Sequence, residues 1–502
     1  MAKQKNPRVL IITPEVTYLP DRMGNLANFL TAKAGGLADV TAALISALFH
    51  QGADVHVALP DYRSIFEDRL APFLRKEQRT LRQVMPNDRV HLAEDRAFFY
   101  LNRVYSSYGG ENIRISLAFQ REVINNIVPR VRPDLIHCND WMTGLIPAMA
   151  REMGIPCLFT IHNIHTVKAT LANIEDRGID AAYFWHHLYF TSYADEYESA
   201  RETNQVDFLA SGVFAAHFVN TVSQHFLDEI VKGRHNFVEH HLRNELTNKA
   251  LAGCATGILN APDPGFDPQQ DPYLAACYGP DDHKAAKQKN KCALQKMLGL
   301  NVDAKAPIFF WPSRLDPIQK GCQLLAEIFY HVISKYWPHN LQVIFVANGD
   351  YQQIFHNIVN HHQFHQRVAV CDFSEQLEHM AYGAADFVLM PSRFEPCGLP
   401  QMIGQIYGVL PVAMDTGGLH DTVTHLDVDH DKGNGFLFET YNSSGLLWAI
   451  DQAMAFHQLP PKVKARQITR IMHQSVATFN HEVNARQYIE LYEKMLERPL
   501  IR

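Results

Sequence analysis

No stretch of the 502 residues approaches the roughly 18 consecutive apolar residues that a membrane span needs. The first eight residues, Met1 to Arg8, are polar and basic, without the apolar run of a signal peptide. The expectation is a soluble, cytoplasmic protein that does not engage a membrane. Cysteine is sparse and scattered: the eight thiols are Cys138, Cys157, Cys254, Cys277, Cys292, Cys322, Cys371 and Cys397, and no two form a CxxC pair. That argues against a zinc ribbon or a disulfide framework and for reduced thiols. Basic blocks are also missing. Lys plus Arg total 46 against 53 Asp plus Glu, a net charge of −7, so nucleic acid is not an expected partner. There is no internal repeat and no GxGxxG fingerprint of nicotinamide enzymes. The 27 histidines lack Cys or carboxylate neighbours at ligand spacing. Asp427, Asp429 and Asp431 alternate like a calcium loop, but Gly433 falls one place late and Phe438 stands where a Glu is needed. No metal and no cofactor is therefore expected.

What is present is ample core material. Apolar residues make up 47% and charged residues 20%, the balance of a globular chain. The length suits two large domains or three small ones. Short apolar runs alternate with helical patterns from end to end. Arg8–Pro14, Ala53–Leu59, Phe98–Leu101, Asp134–Ile136, Cys157–Ile161 and Phe218–Val222 read as strands. Leu37–His50, Leu117–Ile127 and Gly144–Met153 read as helices between them. A second series holds the strands Pro307–Trp311, Leu341–Ala347, Val368–Cys371, Phe387–Met390 and Val409–Met414, with helices at Cys322–Ser334 and Ser443–Phe456. Residues 260–280 carry five prolines and read as a linker, after which the charged helix Asp282–Leu298 opens the second series. Val476–Leu496 reads as one amphipathic helix. This pattern predicts an α/β protein of two doubly wound parallel sheets, with ligands at the carboxyl ends of the strands in a cleft between domains.

Six loops at predicted strand ends carry polar chemistry. Lys33-Ala34-Gly35-Gly36-Leu37-Ala38-Asp39 enters a helix through two glycines, which suits close approach of an anion to N–H donors. Arg314 and Lys320 lie six residues apart on one loop, a fork and a point charge able to reach one diphosphate. Glu395 sits on a Pro-bounded turn, Pro391–Pro400, suited to sugar hydroxyls. Asp415-Thr416-Gly417-Gly418-Leu419 is a further glycine turn, and the strand ends at His137–Trp141 and Thr160–Asn163 each present a histidine. Taken singly, each loop reads equally well as a plain structural turn.

Together they form a pattern. The segments KAGGLAD, HCNDWMTGL, FTIHNI, NTVSQHF, GILN, PSRLDPIQKG, GDYQQ, PSRFEPCGL and DTGGLHDTV occur in an order that resembles the bacterial glycogen synthases and plant starch synthases, over nearly the whole chain. The resemblance implies the GT-B fold of two Rossmann-like domains facing a deep cleft. It places an acceptor-side domain at residues 1–259, completed by a C-terminal helix at 476–502, and a nucleotide-sugar-binding domain at 281–475. It implies retaining transfer of glucose from ADP-glucose to an α-1,4-glucan such as glycogen. Arg314 and Lys320 match the pair on the donor diphosphate. Lys33, Gly35 and Gly36 match a phosphate-side contact, and Asp39 a residue near the nucleotide. Glu395 matches the carboxylate on the transferred glucose, with Cys397, Gly398 and Leu399 beside it. His162 and Asn163 match polar neighbours of that glucose, and Asp140 a carboxylate toward the acceptor. Thr416, Gly417 and Gly418 match a loop around sugar and phosphate. Asn260, in GILN, matches a further residue of the nucleotide-sugar site, and Phe373 an aromatic against the base.

The chain departs from that pattern in four places. Seventeen residues separate Glu15 from Lys33, and the insert Tyr18–Thr31 is expected near the mouth of the cleft as a lid. Met142 replaces a usual histidine, Ala210 a usual lysine and Pro400 a usual threonine. UDP-glucose as donor, a different acceptor, or a glucan-binding homologue without turnover are the alternative readings. Oligomeric state is not legible in the sequence.

Overall fold

Five residues, Arg8–Ile12, form the first strand (β1) because Val9, Leu10, Ile11 and Ile12 are all buried, the signature of a strand covered on both faces. The computed structural model describes residues 5–20, 22–24, 30–66, 89–106 and 108–501. The chain divides into two compact units, Met1–Leu259 with His481–Arg502, and Asn260–Asn480.

The first unit is built on β1, β2 (Asp54–Pro60), β3 (Val90–Ala93), β4 (Leu135–Asn139) and β5 (Cys157–Ile161). A small antiparallel pair follows, β6 (Lys168–Thr170) with β7 (Gln205–Asp207), and then β8 (Phe218–Thr221) and β9 (Ala255–Gly257). The main sheet has the order β3-β2-β1-β4-β5-β8-β9, all parallel. The second unit holds β10 (Ile308–Trp311), β11 (Gln342–Val346), β12 (Val368–Cys371), β13 (Phe387–Met390), β14 (Leu410–Met414) and β15 (Phe436–Phe438), again parallel, in the order β12-β11-β10-β13-β14-β15. Side chains of β10 alternate between two cores. Phe309 and Trp311 enter one, while Ile308 and Phe310 enter the other. Helices therefore cover both faces, as the period of two along a strand requires.

Three readings of the sequence need correction. Phe98–Leu101 is not a strand. Asp95 accepts a hydrogen bond from the Ala97 N–H at 2.7 Å and caps a helical turn, Arg96–Phe99, while the edge strand is Val90–Ala93. The helix expected at Leu117–Ile127 starts at Gly109, runs to Glu122 and widens into a π turn over Val123–Ile127. Val476–Leu496 is not one helix. Pro461, in the first turn where proline fits, opens a helix ending at Thr478, and a separate helix, His481–Leu496, follows.

The helix His481–Leu496 packs Ala485, Tyr488, Leu491 and Tyr492 into the core of the first unit. Tyr492 Oη lies 2.7 Å from Nδ1 of His137, and His137 Nε2 lies 2.6 Å from Thr160 Oγ1. Thr160 donates to Asn220 Oδ1 at 2.5 Å, and Asn220 Nδ2 donates to the Tyr488 hydroxyl at 3.1 Å. That direction fixes Thr160 as acceptor from His137 Nε2–H and leaves Nδ1 to accept from Tyr492. A polar chain across β4, β5 and β8 thus ends on two tyrosines of the last helix.

Residues 260–280 sit within the second unit. Asp271 is buried there, 2.6 Å from Tyr407 Oη and 2.8 Å from His379 Nδ1, so this proline-rich segment is anchored rather than loose. Of the insert Tyr18–Thr31, residues 21 and 25–29 lie outside the described residues. Met23 and Leu30 are buried in the first core, and the Arg89 N–H donates to Met23 O at 2.7 Å. Among the described residues, no helix is long and apolar enough to cross a membrane.

Candidate active site

In the first unit the chemistry gathers at the carboxyl ends of β1, β4 and β5. Glu15, just past β1, is buried. Its Oε2 accepts from the N–H groups of Ala34 and Gly35 at 2.7 and 3.0 Å, and its Oε1 from Tyr105 Oη at 3.0 Å. Burial pushes the Glu15 carboxyl up. The Gly35 N–H is thus engaged by Glu15 in this structure. The N–H groups of Gly36 and Leu37, opening the helix Gly36–His50, have no partner one turn earlier within that helix. A Cβ on Gly35 would meet nothing within 4 Å among the described residues, so no packing against them requires a glycine there. Lys33 Nζ lies 2.9 Å from Asp39 Oδ2, and Thr17 Oγ1 donates to Asp39 Oδ1 at 2.6 Å. Asp39 therefore holds the ammonium over the helix entrance.

Asp140 follows β4 with φ of 56°, a left-handed value unusual outside glycine. Its Oδ1 accepts from the backbone N–H groups of His162 and Asn163 at 2.7 and 3.3 Å. Burial raises the Asp140 carboxyl to about 7, against the lowering effect of those two bonds. Its carboxylate faces the 162–163 turn, so it acts by placing that turn. His162 Nε2 lies 2.9 Å from Asn139 Oδ1, an acceptor, which puts the proton on Nε2 and leaves Nδ1 as an acceptor. Burial lowers His162 to about 3, so the ring is neutral near pH 7. His137 is likewise lowered to about 3 by burial and serves the tyrosine chain described above.

In the second unit three loops interlock. Lys320 Nζ lies 2.6 Å from Glu395 Oε2, which also accepts from Ser392 Oγ at 3.0 Å. Glu395 is 6% exposed. The Gly418 N–H donates to Glu395 O at 2.9 Å, and the Arg393 N–H to Gln319 O at 2.8 Å. Gly321 and Gly418 are required by these approaches. A Cβ at either would fall 2.0 Å from a carbonyl oxygen, of Pro391 and Cys397 respectively. Gly417 and Gly398 take φ of 45° and 74°. Cys397 is buried, its thiol pushed up to about 12 by burial, and Thr416 is buried as well. Leu399 precedes the helix Pro400–Ile406, with Pro400 at its first position.

Arg314 is exposed, and its guanidinium has no partner among the described residues. Asn348 ties its loop to that of Phe373, accepting from the Leu315 N–H through its carbonyl at 2.9 Å and from the Phe373 N–H through Oδ1 at 3.0 Å. Phe373 is 50% exposed, a half-open aromatic face. Asn260 is buried, and its Oδ1 has no hydrogen-bond partner among the described residues. Met142 and Ala210 are 1% and 0% exposed. Both side chains lie inside the first unit, where a charged or polar residue would need a buried partner.

Two His/carboxylate groups in the first unit have ligand atoms within 4.8 Å of one another: Glu152, His186 and His187, and Asp207, Glu239 and His241. Neither includes a candidate site residue. Sequence reasoning missed Glu15 as a functional residue. The available signal was a lone carboxylate directly after the first strand, ahead of the glycine loop.

Comparison with known proteins gives these arrangements a context. Residues 8–244 match the starch synthase catalytic domain, and residues 306–455 match the glycosyl transferases group 1 domain. A glycogen synthase of Moorella thermoacetica is 32% identical across 98% of this chain and 97% of its own length. One of Geobacillus thermodenitrificans is 30% identical across 93% and 96%. Among solved structures, the catalytic domain of starch synthase IV from Arabidopsis thaliana, bound to ADP and acarbose, superposes with a TM-score of 0.78 at 24% identity, covering 98% of this chain and all of that one. Sucrose-phosphate synthase from Thermosynechococcus elongatus is more distant, with a TM-score of 0.57 at 18% identity and coverage of 98% and 99%. With a 32% identical relative matched over nearly its full length and two parallel-sheet domains of the GT-B type, the chain belongs to the glycogen synthase family of glycosyltransferases.

Proposed function

We propose that the chain transfers glucose from ADP-glucose to the non-reducing end of an α-1,4-glucan, with retention of configuration. The observation that carries the reading is the buried Glu395 carboxylate, held by Lys320, which shares its loop with the exposed Arg314. The relatives' names and the ADP and acarbose bound to the plant enzyme support it.

In this reading the second unit binds the donor. Arg314 and Lys320 take the diphosphate, Glu395 the glucose hydroxyls, and Phe373 the base. Asn260, Cys397, Gly398, Leu399 and the Thr416–Gly418 turn line the sugar and phosphate. The first unit is the acceptor side. Lys33 and the Gly36 N–H serve the phosphate, with Asp39 orienting Lys33. His162 and Asn163 meet the glucose, and Asp140 places them. The bond from glucose C1 to the phosphate oxygen breaks with its electron pair on ADP. The acceptor oxygen bonds to C1 on the same face, and its proton passes to the departing phosphate. Negative charge grows on the diphosphate and positive charge on the sugar ring. Fixed cations at Arg314 and Lys320 stabilise the first. A neutral His162 accepts a hydrogen bond from a glucose hydroxyl through Nδ1 and adds no positive charge to oppose the second.

The test is nucleotide release from ADP-glucose or UDP-glucose in the presence of glycogen, with an Arg314→Ala, Glu395→Ala double variant as control. Glycogen-dependent ADP release, lost in the double variant, is the expected result. UDP release instead would keep the mechanism and change the donor. Silence with both donors from folded protein would overturn the reading in favour of a glucan binder without turnover.

A further inference from the structure

At the amino ends of β13 and β14, a pocket of about 620 Å³ opens between the helices His283–Met297 and Pro461–Thr478. The candidate donor loops leave the opposite, carboxyl ends of the same strands, so roughly 13 Å of strand separates the two places, at about 3.3 Å per residue. The helix His283–Met297 presents Lys284, Lys287 and Lys291 on one face, at the three- and four-residue spacing that aligns side chains. Lys305 and Lys464 join them from a loop and the second helix. Against these five lysines the lining offers one carboxylate, Asp386.

That carboxylate is already committed. Its Oδ2 lies 2.6 Å from Lys291 Nζ and accepts the Ile308 N–H at 2.8 Å. Lys287, 7% exposed, donates to Tyr407 O at 3.0 Å and Tyr382 O at 3.4 Å and lies 5.7 Å from the centre of the Tyr278 ring, with no carboxylate among the described residues in hydrogen-bond or ion-pair contact. Lys464 donates to His457 O at 2.5 Å. Burial pulls the Lys287 ammonium down to about 7 and lowers Lys464 as well, even though the charge of Asp386 opposes the shift in both. Buried cations without counter-charge are costly, and the usual remedy is a paired anion. The floor of the pocket is apolar, with Phe387, Leu410 and Phe456. A cationic wall over an apolar floor suits an anion that carries an organic body.

We propose that this pocket binds a small phosphorylated compound, with Lys284, Lys287, Lys305 and Lys464 around the phosphate and the apolar floor against its carbon skeleton. The site is separate from the donor site and does not depend on the glucosyltransferase reading. Inorganic pyrophosphate supplies the charge alone, and fructose 1,6-bisphosphate adds a carbon body. Calorimetric titration of the full chain with each probe tests the proposal in three proteins: the wild type, K284E/K305E, and R314A/K320Q. Lys284 and Lys305 are exposed, so reversing them leaves the core intact. Binding of at least one probe that weakens at least about tenfold in K284E/K305E, and persists in R314A/K320Q, is the expected result. Tighter binding of the bisphosphate would assign the floor its part, and equal binding would make phosphate the whole determinant. No binding of either probe at millimolar concentration would overturn the proposal. So would equal affinity in K284E/K305E, or loss of all binding in R314A/K320Q.

Discussion

Lys320 Nζ rests 2.6 Å from Oε2 of Glu395, and the two residues come from loops that follow different strands of one sheet. The pair is largely buried, so each partner compensates the other's charge. Removing either should cost more than a surface pair would. Lys320→Met and Glu395→Gln are each expected to lower kcat/KM for the donor by about a hundredfold or more, on the order of 3 kcal/mol. The double variant should fall well short of the product of the two losses, because the residues act as a unit. A double-mutant cycle on nucleotide release would read this directly. Fully additive losses would contradict the coupling.

Asp140 gives a pH prediction of definite sign. Its carboxyl stands at about 7 in the folded chain, above the ordinary value of 3.8, so the folded state binds the proton more tightly than the unfolded state. The resulting stability is complete below about pH 3.8 and is lost as pH rises through about 7. Asp140→Asn keeps an acceptor for the His162 and Asn163 N–H groups but does not titrate. Unfolding free energy measured across that window should therefore fall less with rising pH in the variant than in the wild type. Parallel curves would sink the assignment.

The last helix is tied to the sheet by hydroxyls as well as by apolar contact. Tyr492→Phe leaves the apolar packing and removes the donor to His137 Nδ1, stranding a buried acceptor. A loss of roughly 1–3 kcal/mol in unfolding free energy is expected, measurable by urea denaturation. Hydrogen exchange should show faster opening of the helix His481–Leu496 than in the wild type.

Pro400 occupies the first turn of its helix without strain but brings no N–H. Pro400→Thr restores one donor beside Gly398 and Leu399. If that turn contacts donor phosphate, affinity for the nucleotide sugar should rise by roughly 1.5–3 kcal/mol, the value of a hydrogen bond to a charged group. Unchanged KM and kcat would remove this position from the site.

The parallel strands were legible where apolar residues run together, as in β1, β5, β11 and β14, since strands covered on both faces need no alternation. The edges were harder to read. Val90–Ala93, Ala255–Gly257 and Phe436–Phe438 are only three or four residues long, too few to stand out from loops. Phe98 misled because local capping by Asp95 overrode an apolar run. The interlocking of Gly418 with Glu395 joins residues that are close in sequence order and recognisable as loops. Glu15 differs in kind. Its partners are the N–H groups of Ala34 and Gly35 and the hydroxyl of Tyr105, and only folding brings these to one carboxylate. Likewise, no local pattern links His137 to Tyr492, 355 positions apart.

That last contact also sets an order of events during synthesis. The first unit is discontinuous, with residues 260–480 forming the second unit between its two parts. Every strand of the first sheet precedes the second unit in the sequence, yet the partners of His137 and Asn220, Tyr492 and Tyr488, come after it. Until Tyr488 and Tyr492 emerge, β4 and β8 carry unpaired polar groups and an uncovered apolar face. The second unit, continuous in sequence, can complete its own core earlier, as domains made as one stretch do. The unit that begins first in the sequence is therefore the one that cannot complete its core until the other has been made.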